Sequence, residues 1–383
     1  MRDVSIIGIG QTKVGEHWER GLADLAVEAT LAALDDAGLD GADVLYVGNM
    51  LGGVLSGQEH LGALIADLAG LRGMPALRVE AADASGGVAL HQAYHAVAGG
   101  MADTALVVGV EKMTDRLPAA TEEGLMLAGL GDYEAAQGVT YVAQTAMLMQ
   151  RYLHEHSLEV GDFAQFPVNA HRNAAANAFA MYRNQISEKA YRQAKMIAAP
   201  INLLDGAPWA DGAAAVVLVP TEQARAASRQ GIRILASTLV TDALSLTERD
   251  DPLALAAARA SAQRAYQQAG LTPGDIHLAE LHDAFSILAA LTLEACGFAA
   301  RGQGVKLGQA GDIARAGRIP IATLGGFKAR GNPVGASGVY QAVEVVQQLR
   351  GVAGQSQIPN ARVGLTQNLG GNGATAVTHI FMN

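Results

Sequence analysis

The sequence predicts an α/β protein made of two fused α/β halves, with helices packed on a mostly parallel sheet. Three observations lead there. Apolar runs of strand length alternate with segments of helical spacing. Two short motifs recur in the same order: Ala84-Ser85-Gly86 with Ala336-Ser337-Gly338, and Asp211-Gly-Ala-Ala-Ala-Val with Asn372-Gly-Ala-Thr-Ala-Val. The chain has 383 residues, half of them hydrophobic, and 45 glycines. That is enough for two domains or a tightly fused pair with close helix-on-sheet packing.

The elements follow in order. Asp3 to Ile9 is an apolar first strand ending near glycine. Leu22 to Ala37 has helical spacing and stops at Gly38, as a helix ending in a left-handed residue does. Val44 to Val47 reads as a short strand and Leu61 to Ala69 as a helix. Ala76 to Val79 leads into the turn Glu80-Ala-Ala-Asp83-Ala-Ser-Gly-Gly87, and a helical pattern runs on from Val88. Thr104 to Val110 reads as a buried strand. The alternation then breaks. Residues 111–201 hold the helical run Gln144 to His154 and a polar stretch rich in Asn and Arg, and read as an inserted subdomain. Regular structure resumes with the strand Ala213 to Val219.

The two motifs lie 127 residues apart in the first half (84 to 211) and 36 in the second (336 to 372). The difference is close to the length of the insertion. The expected organisation is a first half of residues 1–110 plus 202–222, an insertion at 111–201, and a second half at 223–383.

Composition excludes several classes. The net charge is −10 and no basic block stands out, which argues against nucleic acid. No apolar run approaches membrane-spanning length. The start, Met1-Arg-Asp-Val-Ser-Ile, reads as a strand and not as a signal peptide. One cysteine, Cys296, allows neither an internal disulfide nor a Cys-rich metal site. A cytoplasmic protein is the simplest expectation.

Candidate site residues come from the turns. Asp83 sits at an expected helix start, where it can act as an N-cap or stand exposed at a strand end. His282, in Leu278-Ala-Glu-Leu-His-Asp-Ala-Phe285, also lies where a strand passes into a helix. It reads either as a satisfied buried side chain or as a functional one. Leu324 to Gly335 is a glycine-rich loop holding Gly326 and Asn332, and it runs into the repeat helix at Ser337. Gln367 to Gly373 is a second such loop, containing Asn368. Equivalent strand ends of a fused pair converge on one crevice, so Asp83, His282, Asn332 and Asn368 are expected neighbours.

Together these stretches resemble the thiolase superfamily over essentially the whole chain, most of all its archaeal and sterol-carrier-protein types. Asp83-Ala-Ser-Gly86 is similar to the Cys-x-Ser-Gly nucleophile motif. His282-Asp-Ala-Phe285 is similar to the variant of Asn-Glu-Ala-Phe. Asn332-Pro-Val-Gly-Ala-Ser-Gly338 is similar to Gly-His-Pro-x-Gly-Ala-Thr/Ser-Gly. The resemblance implies two halves in a five-layer α-β-α-β-α arrangement and acetyl-CoA acetyltransferase-like chemistry on acyl-CoA thioesters in lipid metabolism. It implies coenzyme A as part of the substrate and no permanently bound cofactor. It also implies a homodimer or dimer of dimers, near strand Leu77 to Glu80 and the Thr104 to Val110 region, and a small zinc-ribbon/OB-type protein as a candidate partner.

The departures bear on mechanism. Asp83 stands where the resemblance expects the nucleophilic cysteine, and Asn332 where it expects the activating histidine. No second cysteine falls near Asn368, and Cys296 reads as a packed small residue. His282 and Asn332 remain as hydrogen-bond donors for a thioester oxygen. Arg151, Arg172 and Arg183 of the insertion are candidate CoA contacts by charge, with Gly326 and Ser337 beside them. The expected chemistry is therefore non-standard: retro-aldol cleavage or decarboxylation with Asp83 as base. Asp83 as a carboxylate nucleophile in acyl transfer is a second possibility. The alternative is a non-catalytic CoA-binding or scaffold subunit.

Overall fold

The computed structural model describes residues 1–226 and 230–383. In chain order the strands are β1 (Val4–Gln11), β2 (Val44–Gly48), β3 (Ala76–Val79), β4 (Ala105–Glu111), β5 (Met196–Ala198), β6 (Ile201–Asn202), β7 (Gly212–Pro220), β8 (Ile232–Thr241), β9 (Leu278–Glu280), β10 (Val363–Gly370) and β11 (Thr375–Met382). The helices are α1 (Leu22–Ala37), α2 (Leu61–Leu68), α3 (Ser85–Ala98), α4 (Pro118–Met126), α5 (Tyr141–His156), α6 (Gln165–Ala174), α7 (Glu188–Arg192), α8 (Thr221–Ala226), α9 (Ala256–Ala269), α10 (Ser286–Ala295), α11 (Gly304–Gln309) and α12 (Ser337–Arg350).

Nine strands form one sheet in the order β3-β2-β4-β7-β1-β8-β11-β10-β9. Its centre is the short antiparallel join of β1 to β8, at Val4–Ile234, Ser5–Arg233 and Ile6–Ile232. Outward from that join the halves repeat. β1-β7-β4-β2-β3 on one side matches β8-β11-β10-β9 on the other, and Ile321 bridges to Ala279 where β3 would have its counterpart. α3 follows β3, and α12 follows the Ile321 bridge. The Asp211 and Asn372 motifs stand at the starts of the equivalent strands β7 and β11. The sequence repeat is thus a structural one.

The expectation of a mostly parallel sheet needs correction. β2 runs parallel to β3 and β4, and β9 to β10, but β7 and β11 run antiparallel to both of their neighbours. The chain reaches β11 from β10 through a four-residue turn, which only an antiparallel pair permits. It reaches β7 after the long insertion.

α1 shows how the outer layers form. Leu22, Leu25, Ala26, Ala29, Ala33, Leu34 and Ala37 are buried at helical spacing, and the helix stops at Gly38 with φ 61°. α1 and α2 cover the first half-sheet, and α9 and α10 the second. Between the half-sheets lie α3 and α12, whose buried side chains join residues of both halves. This is the five-layer α-β-α-β-α arrangement. The two central helices meet at their N-termini. A Cβ on Gly338 would stand 2.3 Å from the Gly87 nitrogen, and one on Gly86 would stand 2.8 Å from the Gly335 carbonyl oxygen. Only glycine allows that approach, which explains the paired Ser-Gly motifs.

Residues 112–211 build no separate core. Tyr152 and Phe163 pack into the cluster that contains Ile287, Leu288 and Leu291 of α10. The Tyr152 hydroxyl donates to Glu294 Oε1 at 2.6 Å. Among the described residues no helix is long and apolar enough to cross a membrane, and no group of three or more His, Cys, Asp or Glu side chains could hold a metal ion.

Candidate active site

Asp83 is presented by a tight elbow between β3 and α3. Ala82 has φ 51°, unusual for a residue with a Cβ. Ser85 Oγ accepts from the Ala81 N–H at 2.9 Å and donates to the Ala82 carbonyl at 2.6 Å. This lock turns the Asp83 side chain inward. The N-cap of α3 is Ala84, and no side chain caps that end. The capping reading of Asp83 is therefore wrong. Its residue is 1% exposed, and neither carboxylate oxygen makes a hydrogen bond. Burial pushes its pKa up to about 7, against the smaller pull of the backbone N–H groups of Asp83 itself and Gly371.

His282 is placed by strand register. β9 pairs with β10 in parallel, Glu280 opposite Thr366, so His282 arrives level with Asn368. Its Nδ1 accepts from the Leu369 N–H at 3.2 Å and faces Asn368 Nδ2 at 3.4 Å. A ring nitrogen that accepts carries no proton, so the proton sits on Nε2. Nε2 is buried and has no partner. Burial lowers the pKa to about 3, so the ring is neutral across the physiological range. Phe327 packs edge-on at 4.9 Å.

Asn332 leaves the glycine-rich loop beside Pro208 and Trp209. Its N–H donates to the Pro208 carbonyl at 3.2 Å, and it forms a bridge with Trp209. Its Oδ1 accepts the Ser337 hydroxyl at 2.7 Å. That contact fixes the amide so that Nδ2 is a donor. Ser337, expected to touch CoA, is fully buried and positions Asn332. Gly326 serves a tight turn. It has φ 55°, a Cβ there would fall 2.2 Å from Asp283 Oδ2, and Asp283 accepts the Phe327 N–H at 2.7 Å.

The segment Asn368–Gly371 brings the three together. Gly371 neighbours Asp83, Leu369 and Asn368 hold His282, and Asn368 Oδ1 would be 2.5 Å from a Cβ on Gly338, next to Ser337. The convergence of four loop ends on one crevice is as expected.

Beside them lies a cavity of about 540 Å³, lined by Tyr141, His171, Tyr182, Trp209, Phe285 and Lys328 among others. Asp83, His282 and Asn332 do not line it; the wall residues Tyr141 and Trp209 connect it to Asp83 and Asn332. Tyr141 is close enough for the Asp83 charge to help raise its pKa, after burial, and its hydroxyl donates to the Gly371 carbonyl at 3.3 Å. Phe285 packs on Tyr141 at 5.4 Å. Sequence reasoning missed Tyr141, His171 and Lys328. Only Lys328, a cation inside a glycine-rich loop, carried a visible signal.

The three arginines stay at the surface. Arg151 is engaged by Glu155 at 2.6 Å and Asp251 at 3.6 Å. Arg172 and Arg183 are exposed, each next in sequence to a cavity-lining residue, His171 and Tyr182. Cys296 is buried at the end of α10, and burial pushes its thiol pKa up, so it holds no thiolate. β4, expected near a subunit interface, is fully buried and paired on both edges, whereas β3 is an edge strand.

Two fused α/β halves thus share one constellation of buried polar groups at their paired helix starts. The family model for the thiolase N-terminal domain matches residues 4–222, and the thiolase C-terminal domain-like model matches 239–383. The chain belongs to the thiolase superfamily. An acetyl-CoA acetyltransferase of Methanothermobacter thermautotrophicus is 43% identical over the full length of both chains. The benzoylsuccinyl-CoA thiolase subunit BbsB of Thauera aromatica is 31% identical, over 97% of this chain and 95% of its own. Among solved structures, the Ltp2-ChsH2(DUF35) aldolase superposes with a TM-score of 0.85 at 26% identity, over 98% of this chain and 97% of that one.

Proposed function

We propose that the chain cleaves a 3-hydroxyacyl-CoA by retro-aldol chemistry, with Asp83 as general base. The observation that carries this reading is the buried, unpartnered Asp83 carboxylate with its pKa near 7. A base works best when its pKa lies near the operating pH. The ionised carboxylate takes the proton of the 3-hydroxyl. The C2–C3 bond breaks, its electron pair moves into the thioester as an enolate, and an aldehyde or ketone leaves. Asp83 then returns the proton to C2, which releases the shortened acyl-CoA.

His282 Nε2–H and Asn332 Nδ2–H are the donors for the enolate oxygen. Both are aligned before substrate arrives, His282 by the Leu369 N–H and Asn332 by Ser337. Preorganised donors of this kind cost no rearrangement during the reaction. No covalent acyl-enzyme is required, in keeping with a chain whose one cysteine is inert. The likeness to an aldolase supports this choice over decarboxylation.

Acyl chain and pantetheine enter through the cavity at Trp209 and Phe285, with Arg172 and Arg183 as phosphate contacts at its rim. Pairing of two copies along the exposed edge of β3, where Leu77 is 56% exposed, supplies the dimer. The aldolase neighbour's DUF35 component supports a small partner protein as well.

Product analysis by mass spectrometry on a panel of 3-hydroxyacyl-, 3-ketoacyl- and malonyl-type CoA esters tests the reaction. Acetyl-CoA plus an aldehyde or ketone, lost in Asp83→Ala, is the expected result. Binding without turnover across the whole panel would instead point to a non-catalytic CoA-binding subunit.

A further inference from the structure

The cavity holds two polar groups for which the retro-aldol chemistry has no use. His171 is 6% exposed and lines the wall. Its Nδ1 lies 2.9 Å from the Asn184 carbonyl oxygen, so Nδ1 carries the proton and donates. Nε2 is then a bare lone pair, and it is buried without a partner. The ring stacks on Tyr182, 10° from parallel, which fixes its plane. Opposite chemistry comes from Lys328. Its ammonium donates to the carbonyl oxygens of Leu203 and Gly206, which leaves one of its three N–H groups. Lys328 is near enough to His171 for its charge to act on the ring.

Around this pair the wall is largely apolar: Leu125, Val142, Leu204, Trp209 and Phe285. Of the other ionisable wall groups, Tyr182 is held by its ring stack on His171, and the remaining two have polar partners. Glu122 faces Thr140, and Tyr141 donates to Gly371. A buried acceptor left unmatched in apolar surroundings is destabilising unless a ligand completes it.

We propose that His171 Nε2 and Lys328 Nζ form a recognition station for a ligand group that both donates and accepts a hydrogen bond, a hydroxyl or a secondary amide. The group donates to His171 and accepts from Lys328. The inference rests on the reading of this cavity as the acyl-CoA site. Two parts of such a ligand carry the required chemistry: the amides of the pantetheine arm, and a hydroxyl along the acyl chain. A plain hydrocarbon acyl group does not.

Calorimetric titration of the full chain separates the cases. The probes are hexanoyl-CoA and the 3-, 4-, 5- and 6-hydroxyhexanoyl-CoA esters. The variants are His171→Phe, which keeps a flat ring and removes the lone pair, and His171→Gln, which restores an acceptor. Lys328→Met reads the other half of the station should His171→Phe fail to fold. If a pantetheine amide is the partner, His171→Phe weakens every ester by about five- to twentyfold. If an acyl hydroxyl is the partner, only the hydroxylated ester whose hydroxyl reaches the station is weakened. In both cases His171→Gln recovers most of the loss. Parent-like binding of all five esters by His171→Phe and Lys328→Met overturns the station and leaves the acyl-CoA reading standing. So does a His171→Gln protein as weak as His171→Phe. A parent chain that binds none of the esters overturns both.

Discussion

Asp83 couples reactivity to stability. Its carboxyl has an ordinary pKa of 3.8 and a folded value of about 7, raised first by burial. Below pH 4 the group is protonated in both states and its titration has no effect. Between pH 4 and 7 only the unfolded chain ionises, so folding loses stability as pH rises, and the loss levels off above pH 7 at a few kcal/mol. Asp83→Asn is therefore expected to melt higher than the parent at pH 8 and at nearly the same temperature at pH 4. Thermal denaturation at the two pH values checks this.

The same ionisation governs catalysis with the opposite sign. The reactive form is the carboxylate, so kcat/KM is expected to rise with pH through about 7. His282 contributes no second limb above pH 5, since burial holds it neutral. Removing either enolate donor, as in His282→Ala or Asn332→Ala, is expected to lower kcat by a hundredfold or more. Ser337→Ala acts only through the orientation of Asn332. Its loss is expected to be near tenfold in kcat with KM little changed, read by steady-state kinetics.

Which residues would gather was legible in the sequence, because Asp83, His282 and Asn332 each stand at a strand end or loop that a fused pair must bring together. What each could do was not. The Asp83 pKa depends on how completely distant segments exclude water, and the His282 tautomer on a Leu369 N–H that only strand register supplies. Cap-like spacing misled at Asp83, since five residues, 80–84, separate β3 from α3 and the N-cap falls on Ala84.

Helices α3 and α12 set the geometry of the site. Each presents a Ser-Gly start to the other, and the close approach of Gly87 and Gly338 puts both N-termini beside Asn368. Gly338→Val inserts side-chain atoms where backbone already stands. A loss of stability of about 3 kcal/mol or more is expected, with a lower denaturant midpoint. The repeated Ser-Gly was visible in the sequence as a repeat, but its cause, a helix crossing, was not. Strand direction was equally hidden. Apolar runs such as those of β7 and β11 look the same whether their neighbours run parallel or antiparallel, and the distinction lies in connections made elsewhere in the chain.

At the scale of the whole molecule the two halves are not separable. α3 and α12 are buried between both half-sheets, and the segment 112–211 shares its core with α10. Neither half could retain its helix without leaving an apolar face open. Unfolding is therefore expected to be one transition, with tryptophan fluorescence and far-ultraviolet circular dichroism coincident. A first half expressed alone as residues 1–222 is expected not to fold. Motif spacing set the expectation of a fused pair with an insertion. It could not show that the insertion lacks a core of its own, because its apolar residues pack on partners more than a hundred positions away, as Tyr152 does on Glu294.

The central claim is that Asp83 is the base of a C–C cleavage on an acyl-CoA. The most direct test is the pH dependence of acetyl-CoA release from a 3-hydroxyacyl-CoA, followed by mass spectrometry for the parent and Asp83→Asn. A parent rate that climbs through pH 7, with Asp83→Asn slower by a hundredfold or more at every pH, is the predicted result. Asp83→Asn turning over as fast as the parent, or a parent rate flat from pH 5 to 9, would contradict it.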